Sequence, residues 1–231
     1  MDNNYVSAII LAAGSGSRMK NEKTKQQISI LGKSILKRTV EAFQLCNLVS
    51  EIVVVSRADE VDFAKTETQM YSKVSAIVSG GRTRAESAAN GFMAINAESK
   101  YVAVHDAARC LVSIDDISKV ILDAYKYGAA TASYKATDSI KKIGDDGFIT
   151  ETCDRSNTVH VLTPQIFSRE IYKRAIDSSD LLDPAITDDN RLVENIGVFS
   201  YCTPTRRDNI KITYDQDVAY AELILKGKAN D

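Results

Sequence analysis

The residues best placed to do chemistry follow the first apolar run of the chain, residues 5–11. Two glycines, Gly14 and Gly16, stand there among small residues, where a ligand can approach the backbone closely. The next ten residues hold four basic side chains and one acidic one, at Arg18, Lys20, Lys23, Lys25 and Glu22. Glycine-rich turns aim backbone N–H groups at anions, and this segment carries a net charge of +3. The pattern favours a triphosphate site; a solvated polar loop is the alternative.

Two common phosphate-binding motifs do not fit this segment. A dinucleotide fingerprint needs a third glycine where the chain has Met19, and a Walker A loop needs its first glycine where the chain has Gln27. We therefore interpret Gly32 as part of a turn before a helix capped by Ser34.

Short apolar runs alternate with helical patterns over the first 136 residues. This alternation predicts an α/β fold with a mostly parallel sheet flanked by helices. Strands are predicted at 5–11, 51–56, 73–79, 100–106 and 129–136, and helices at 34–46, 59–71, 82–95 and 113–128. Because ligands of such sheets bind beyond the carboxyl ends of strands, the candidate site combines 12–27, 80–87, 105–110 and 203–211.

The remaining chain breaks this alternation. Residues 138–152 predict a hairpin around a Gly-Asp-Asp-Gly turn, and an isolated hairpin is marginally stable in water. We expect this hairpin to pair with another subunit, which would make the protein a homodimer; packing on its own domain is the alternative. Further predictions are a helix starting in 163–176, strands at 197–202 and 209–214, and an amphipathic helix at 215–227.

Composition excludes several classes of protein. The 231 residues carry a formal net charge of −2, which argues against a nucleic-acid-binding protein. No apolar run is long enough to span a membrane, and the first residues lack the basic region of a signal peptide. These two features lead us to expect a cytoplasmic location, and the length leads us to expect one domain over 1–231. The four cysteines form no CxxC pair, so we expect reduced structural thiols.

Six segments in order carry a resemblance to a known family. They are "LAAGSGSRM", "GGRTRAES" at 80–87, "VHDAAR" at 104–109, "LTPQ" at 162–165, "TDD" at 187–189 and "DNIKIT" at 208–213. Together they resemble the 2-C-methyl-D-erythritol 4-phosphate cytidylyltransferases over nearly the whole chain. The resemblance implies a Rossmann-like, nucleotide-diphospho-sugar transferase-like fold with a β-hairpin arm at 136–160 that is used in dimerisation.

The same resemblance implies an activity and a set of cations. The family joins CTP to a sugar-alcohol phosphate and releases pyrophosphate, with Mg²⁺ held mainly by the CTP phosphates and no metal site built from protein alone. The matching positions make Arg18 and Lys25 the cations at the α-phosphate. Arg155 and Lys211 match the cations at the acceptor phosphate, and in a dimer Arg155 could come from the neighbouring subunit.

Binding residues also follow from the resemblance, although ordinary turns and helix caps are the alternative for each. Asp106, at a predicted strand end, is expected to face ribose or a hydrated Mg²⁺. The nucleotide site is expected to use Ala12, Ala13, Gly14, Gly16, Gly80, Gly81 and Ser87. The acceptor site is expected to use Arg109, Asp138, Ser139, Thr163 and Thr187. We assign structural roles to Arg84, as an ion pair holding the second loop, and to His105.

Some residues depart from the family pattern. Cys110 replaces a usual proline, Gln27 stands where a hydrophobic residue is common, and "TDDNR" at 187–191 replaces T-D-[DE]-A-x. These changes leave three alternatives open: a ribitol or arabitol 5-phosphate cytidylyltransferase, a CTP-binding module without catalysis, and an NAD-dependent oxidoreductase.

Overall fold

A seven-stranded sheet forms the centre of the molecule in a computed structural model that describes residues 4–14 and 24–228. Its strand order is β11-β7-β10-β6-β1-β4-β5, and every strand except β10 runs in the same direction. The strands are β1 (Val6–Leu11), β4 (Glu51–Ser56), β5 (Val74–Ser79), β6 (Tyr101–Asp106), β7 (Ala129–Lys135), β10 (Val159–Ser168) and β11 (Tyr201–Pro204). Two short pairs stand apart from it: β2 (Ser29–Ile30) with β3 (Lys33–Ser34), and β8 (Lys141–Ile143) with β9 (Ile149–Thr152).

Helices cover both faces of this sheet, and local residues set several of their ends. Ser34 and Ser113 each accept a backbone N–H three residues later, and Gly128 closes a helix in the left-handed conformation. The helices are α1 (Ile35–Leu45), α2 (Val61–Thr68), α3 (Arg84–Ala94), α4 (Ile114–Tyr127), α5 (Arg169–Asp177), α6 (Asp189–Glu194) and α7 (Asp215–Lys228). Within the described ranges, none is long and apolar enough to cross a membrane.

The core lies on both sides of the sheet, which explains the continuous apolar strands. Successive side chains of a strand point to opposite faces, so Ile10 packs with Phe43 of α1 while Ile9 packs with Phe92 of α3. All six residues of β1 are buried. The central position of β1 places the loop that follows it at the middle of the carboxyl edge.

The prediction of a helix starting at 163 is wrong at its beginning. Residues 159–168 form β10, and α5 begins at Arg169. Strand β10 lies antiparallel between β6 and β7, where Ile166 packs on one face of the sheet and Phe167 on the other. Burial of both faces favours a strand over the helix that the local pattern predicted.

Two predicted strands near the carboxyl end also differ. The strand predicted at 197–202 forms instead at Tyr201–Pro204, and Phe199 is exposed. No strand forms at 209–214. The alternation there has another cause, because Ile212 is buried while Lys211 turns to Asp106.

The predicted hairpin is present as β8 and β9, joined by the 144–147 turn, and we call residues 136–160 the arm. Its two strands are fully exposed, and Ile143, Phe148 and Ile149 leave 67%, 74% and 64% of their surface in solvent. Three large apolar side chains of the arm are thus mostly exposed to solvent.

Candidate active site

A cavity of about 390 Å³ opens at the carboxyl edge of the sheet. The four segments expected to converge all contribute to it. It is lined by Leu11, Ala13, Gly14, Lys25, Gln26, Gly81, Arg82, Thr83, Arg84, Ser87, Asp106, Ala108 and Lys211. Backbone of two loops thus faces three kinds of charged side chain, arginine, lysine and aspartate.

The Gly-Gly turn closes one wall because it packs tightly against the first loop. A Cβ atom at Gly80 would lie 2.4 Å from Cβ of Ala13 and 2.9 Å from Oγ of Ser87, so a side chain does not fit there. The Gly81 N–H donates to Ser87 Oγ (3.0 Å), and this hydroxyl donates to Thr83 O (2.8 Å). Ser87 therefore fixes the turn with its own hydroxyl.

A second cavity of about 220 Å³ continues on the other side of this turn. It is lined by Ala13, Gly80 and Gly81, together with residues 57–59. Peptide groups of both loops therefore border two adjoining spaces, and backbone N–H and C=O groups can recognise the edge of a flat base by hydrogen bonds.

Charged side chains form a continuous network on the floor of the larger cavity. Arg84 contacts Asp106 (3.1 Å) and Asp189 (2.6 Å), and Lys211 Nζ contacts the other Asp106 oxygen at 2.8 Å. The Tyr172 hydroxyl donates to Asp189 (2.6 Å). Asp106 and Asp189 are buried, so their charges depend on these partners.

This network keeps Asp106 ionised. Burial alone would raise its pKa, but the charges of Arg84 and Lys211 outweigh burial and hold the pKa well below its ordinary value. Burial likewise opposes the charge of Arg84, and its two carboxylate partners raise its pKa instead. An ionised carboxylate at the end of β6 is therefore in contact with two basic side chains, Arg84 and Lys211.

The side chain of His105 is connected to the Asp106 backbone through Thr163. The buried ring contacts Thr163 Oγ1 through Nδ1 (3.0 Å) and Arg109 O through Nε2 (3.2 Å), while Thr163 Oγ1 accepts the Asp106 N–H (3.2 Å). Arg109 O can only accept, so Nε2 carries the proton and Thr163 donates to Nδ1. Burial lowers the pKa of His105 to about 3, so the ring stays neutral.

Lys25 enters the cavity from a short 3₁₀ turn, Lys25–Gln27, that precedes β2. Its neighbour Gln26 is buried and also lines the cavity. Arg18 and Gly16, expected beside Lys25, lie outside the described residues.

The structure brings seven of the expected residues to the larger cavity: Ala13, Gly14, Lys25, Gly81, Ser87, Asp106 and Lys211. Gly80 lines the smaller one, whereas Ala12 is buried and donates its N–H to Val55 O. Thr163 is buried behind Asp106, and Arg109 donates to Asn209 O (3.0 Å). Neither belongs to the lining of the larger cavity.

Four expected residues are exposed and do not line the larger cavity: Asp138, Ser139, Arg155 and Thr187. Thr187 precedes α6, and the other three lie on the arm. Arg155 donates to Thr137 O (2.9 Å) at the base of the arm. Of the residues expected at the acceptor site, Lys211 lines the cavity, three lie on the arm, and Arg109, Thr163 and Thr187 belong to neither.

Sequence reasoning missed several charged residues. It gave Arg84 an ion pair but did not find Asp189 as a partner. It also passed over Arg207, which lies over the Tyr134 ring and donates to Thr137 Oγ1 (3.2 Å), close to Arg155. The signal for Arg207 was a pair of arginines at 206–207, inside a segment already expected at the carboxyl edge.

Comparisons with known proteins agree with this geometry. The profile of the family described as 2-C-methyl-D-erythritol 4-phosphate cytidylyltransferase matches residues 6–227. The enzyme of that name from Endomicrobium trichonymphae is 38% identical over 95% of this chain and 98% of its own length. The one from Clostridium acetobutylicum is 39% identical over 95% and 96%.

Solved structures give the same result. The chain superposes on 4-diphosphocytidyl-2C-methyl-D-erythritol synthase from Anaerococcus prevotii with a TM-score of 0.87 and 28% identity, covering 97% of this chain and all of that one. The Francisella tularensis 2-C-methyl-D-erythritol 4-phosphate cytidylyltransferase gives a TM-score of 0.79 at 28% identity, over 95% and 99%. This chain belongs to the 2-C-methyl-D-erythritol 4-phosphate cytidylyltransferase family.

Proposed function

We propose that this protein transfers the cytidylyl group of CTP to 2-C-methyl-D-erythritol 4-phosphate. The products are 4-diphosphocytidyl-2-C-methyl-D-erythritol and pyrophosphate, in the synthesis of isoprenoid precursors. The observation that carries the proposal is the cavity in which Lys25 and Lys211 meet two backbone loops at the carboxyl edge of the sheet. Family membership over residues 6–227 selects the nucleotide and the acceptor.

The reaction is an in-line exchange of oxygens at the α-phosphorus of CTP. A phosphate oxygen of the acceptor forms the new P–O bond, and the bond to the β-phosphate breaks, so that pyrophosphate leaves with its electron pair. Negative charge spreads over the α-phosphate oxygens in the transition state, so fixed cations supply most of the catalysis. Lys25 and Arg18 are assigned to these oxygens.

The base is assigned to the slot between the two backbone loops. Peptide groups near Ala13 and Gly81 would contact the edge of cytosine, and the tight packing at Gly80 keeps the slot at a fixed width. Ser87 stabilises the slot through the turn.

Asp106 and Lys211 are assigned to the border between nucleotide and acceptor. Their ion pair places a cation in the lining of the cavity, where an acceptor phosphate can compete with Asp106 for it. An acceptor phosphate would then replace the Asp106 carboxylate as the partner of Lys211, so that Lys211 would face an anion in both states.

Mg²⁺ fits this donor set only as a companion of the nucleotide. No cluster of three or more His, Cys, Asp or Glu residues that could hold a metal occurs among residues 4–14 and 24–228. Asp106 is the carboxylate of the cavity lining, so it would hold the ion together with CTP phosphates and water. When bound, the ion neutralises triphosphate charge.

The arm is assigned to a homodimer. Its apolar residues Ile143, Phe148 and Ile149 are exposed, and a two-stranded hairpin gains stability by burying such residues against another chain. A symmetric dimer would deliver Arg155 to the cavity of the partner subunit. The cytoplasmic location expected from the sequence belongs to the same proposal.

Steady-state kinetics with three acceptors test the proposed function. With CTP, kcat/KM is expected to be higher for 2-C-methyl-D-erythritol 4-phosphate than for ribitol 5-phosphate or arabitol 5-phosphate. Pyrophosphate release reports turnover for every acceptor. A preference for a pentitol phosphate would contradict the substrate assignment, and absence of turnover with all of them would contradict the enzyme itself.

A further inference from the structure

A buried carboxylate outside the cavity lining contacts the turn that carries Lys25. Glu60 ends a 3₁₀ turn, Ala58–Glu60, just after β4, and only 4% of its surface is exposed. Its Oε1 atom accepts hydrogen bonds from Thr24 Oγ1 and from Gln27 Nε2, the latter at 3.1 Å. One oxygen atom therefore binds residues on both sides of Lys25.

Among the described residues, the side chain of Glu60 forms hydrogen bonds only to Thr24 and Gln27. Glu60 is the N-cap residue of α2, yet its side chain makes no capping hydrogen bond. Its second oxygen, Oε2, is buried without a hydrogen-bond partner among the described residues. Burying a polar side chain is costly unless it is hydrogen-bonded, and the hydrogen bonds of Glu60 go to Thr24 and Gln27.

Glu60 contacts the turn of Lys25 on its amino side, through Thr24. Its internal bonds, Gln27 N–H to Thr24 O (3.0 Å) and Ile28 N–H to Lys25 O (3.3 Å), join the turn only to itself. The Ile35 N–H to Ile28 O bond (3.0 Å) ties its far end to α1. Glu60, just after β4, binds the amino side of the turn through Thr24. Lys25 therefore lies between two attachments, one to Glu60 and one to α1.

We propose that Glu60 is a positioning residue that holds Lys25 at its place on the cavity. The inference rests on the proposed function, because it assumes that Lys25 stabilises the α-phosphate. Gln27 belongs to the same arrangement, because its amide is one of the two donors to Glu60.

Two substitutions at Glu60 test its role. Displacement of a catalytic group by about 1 Å can lower a rate about 100-fold, so we expect Glu60→Ala to lower kcat about 10- to 100-fold. The KM for CTP should change less than about threefold, because Glu60 itself lines neither of the two cavities. Glu60→Gln keeps one acceptor oxygen, and its amide group replaces an oxygen that has no partner, so its kcat should stay within about fivefold of the wild type.

The matched control is Glu67→Ala. Glu67 accepts a hydrogen bond from Ser34 Oγ, so the variant removes a similar carboxylate–hydroxyl contact from α2 without touching the turn of Lys25. Its kcat should stay within about twofold of the wild type. An equal loss in Glu67→Ala and Glu60→Ala would overturn the proposal, because damage to α2 would then explain both.

A double-mutant cycle with Lys25→Ala separates positioning from general damage. If Glu60 acts through Lys25, adding Glu60→Ala to Lys25→Ala should change kcat less than about twofold. A further loss of tenfold or more in the double variant would overturn the proposal. Should Glu60→Ala fail to fold, Thr24→Val with Gln27→Leu removes both donors instead and should give the same loss and the same non-additivity.

Wild-type turnover separates this inference from the proposed function. If the wild type is inactive, the function assignment fails first. If the wild type is active, Lys25→Ala is impaired and both Glu60→Ala and Thr24→Val with Gln27→Leu keep full kcat, only the positioning role of Glu60 is wrong.

Discussion

The cavity and the arm carry charge in opposite ways. In the cavity, Arg84 and Lys211 are paired with buried carboxylates, and hydrogen bonds hold the loops around them. At the base of the arm, Arg155 and Arg207 are exposed, and neither forms an ion pair with any residue in 4–14 or 24–228. Both instead donate to oxygens of Thr137.

This contrast indicates which half of the site one chain completes alone. We refer to the cavity, to which the nucleotide is assigned, as the nucleotide half; contacts within one chain hold its Gly-Gly turn, Arg84 and Lys211. Two guanidinium groups without an ion pair among the described residues lie at the base of the arm, and the arm itself exposes three large apolar side chains. In the proposed dimer, a second chain would cover the apolar side chains and complete the anion site. The predictions below separate the two halves.

The largest effect is expected in the nucleotide half. Lys25→Ala removes a cation from the α-phosphate, so kcat should fall about 10²- to 10³-fold while CTP affinity stays within several-fold. Single-turnover kinetics and CTP titration measure the two quantities. An unchanged kcat would remove Lys25 from the mechanism.

A smaller effect on the other substrate is expected at the arm. Arg155→Ala removes a charge-assisted hydrogen bond to the acceptor phosphate, so the acceptor KM should rise about 10- to 100-fold with little change in the KM for CTP. Lys142→Ala, which loses only an exposed pair with Glu151, is the control and should leave both constants unchanged. An equal rise in the KM for CTP would place Arg155 in the nucleotide half.

The apolar face of the arm is expected to control assembly. Ile143→Ser with Phe148→Ser removes exposed apolar area and should shift the protein toward a monomer, with an acceptor KM raised about tenfold at micromolar protein. Analytical ultracentrifugation and kinetics on the same samples measure both effects. A dimer that persists with a normal acceptor KM would exclude the arm from the interface.

The smallest effect is expected on the free energy of unfolding, through the buried side chain of His105. The unfolded chain binds a proton on His105 below about pH 6.5, whereas the folded chain resists protonation down to about pH 3. The free energy of unfolding should therefore decrease as the pH is lowered. His105 should account for about 1 kcal/mol of the loss between pH 7 and pH 5.5. Urea unfolding of the wild type and His105→Asn at both pH values measures this difference, and equal slopes would contradict it.

The features that could be predicted from the sequence are those that depend on residues close together in the chain. Strand ends, the Gly-Gly turn and helix caps depend on nearby residues, and strands meeting at one edge bring their loops together without further information. The pairs Arg84–Asp189 and Glu60–Gln27 could not be found this way, because they join segments that are 105 and 33 residues apart. Strand β10 was missed in part because only its position between two neighbours favours a strand.

A purified heterodimer of Lys25→Ala and Arg155→Ala chains tests the shared site most directly. If each cavity uses the arm of the other chain, one of the two sites pairs an intact Lys25 with an intact Arg155, while both defects fall in the other site. Two different affinity tags isolate the heterodimer, and its kcat/KM is expected to be about half that of the wild type. Activity no greater than the mean of the two parent homodimers would contradict a site shared between chains.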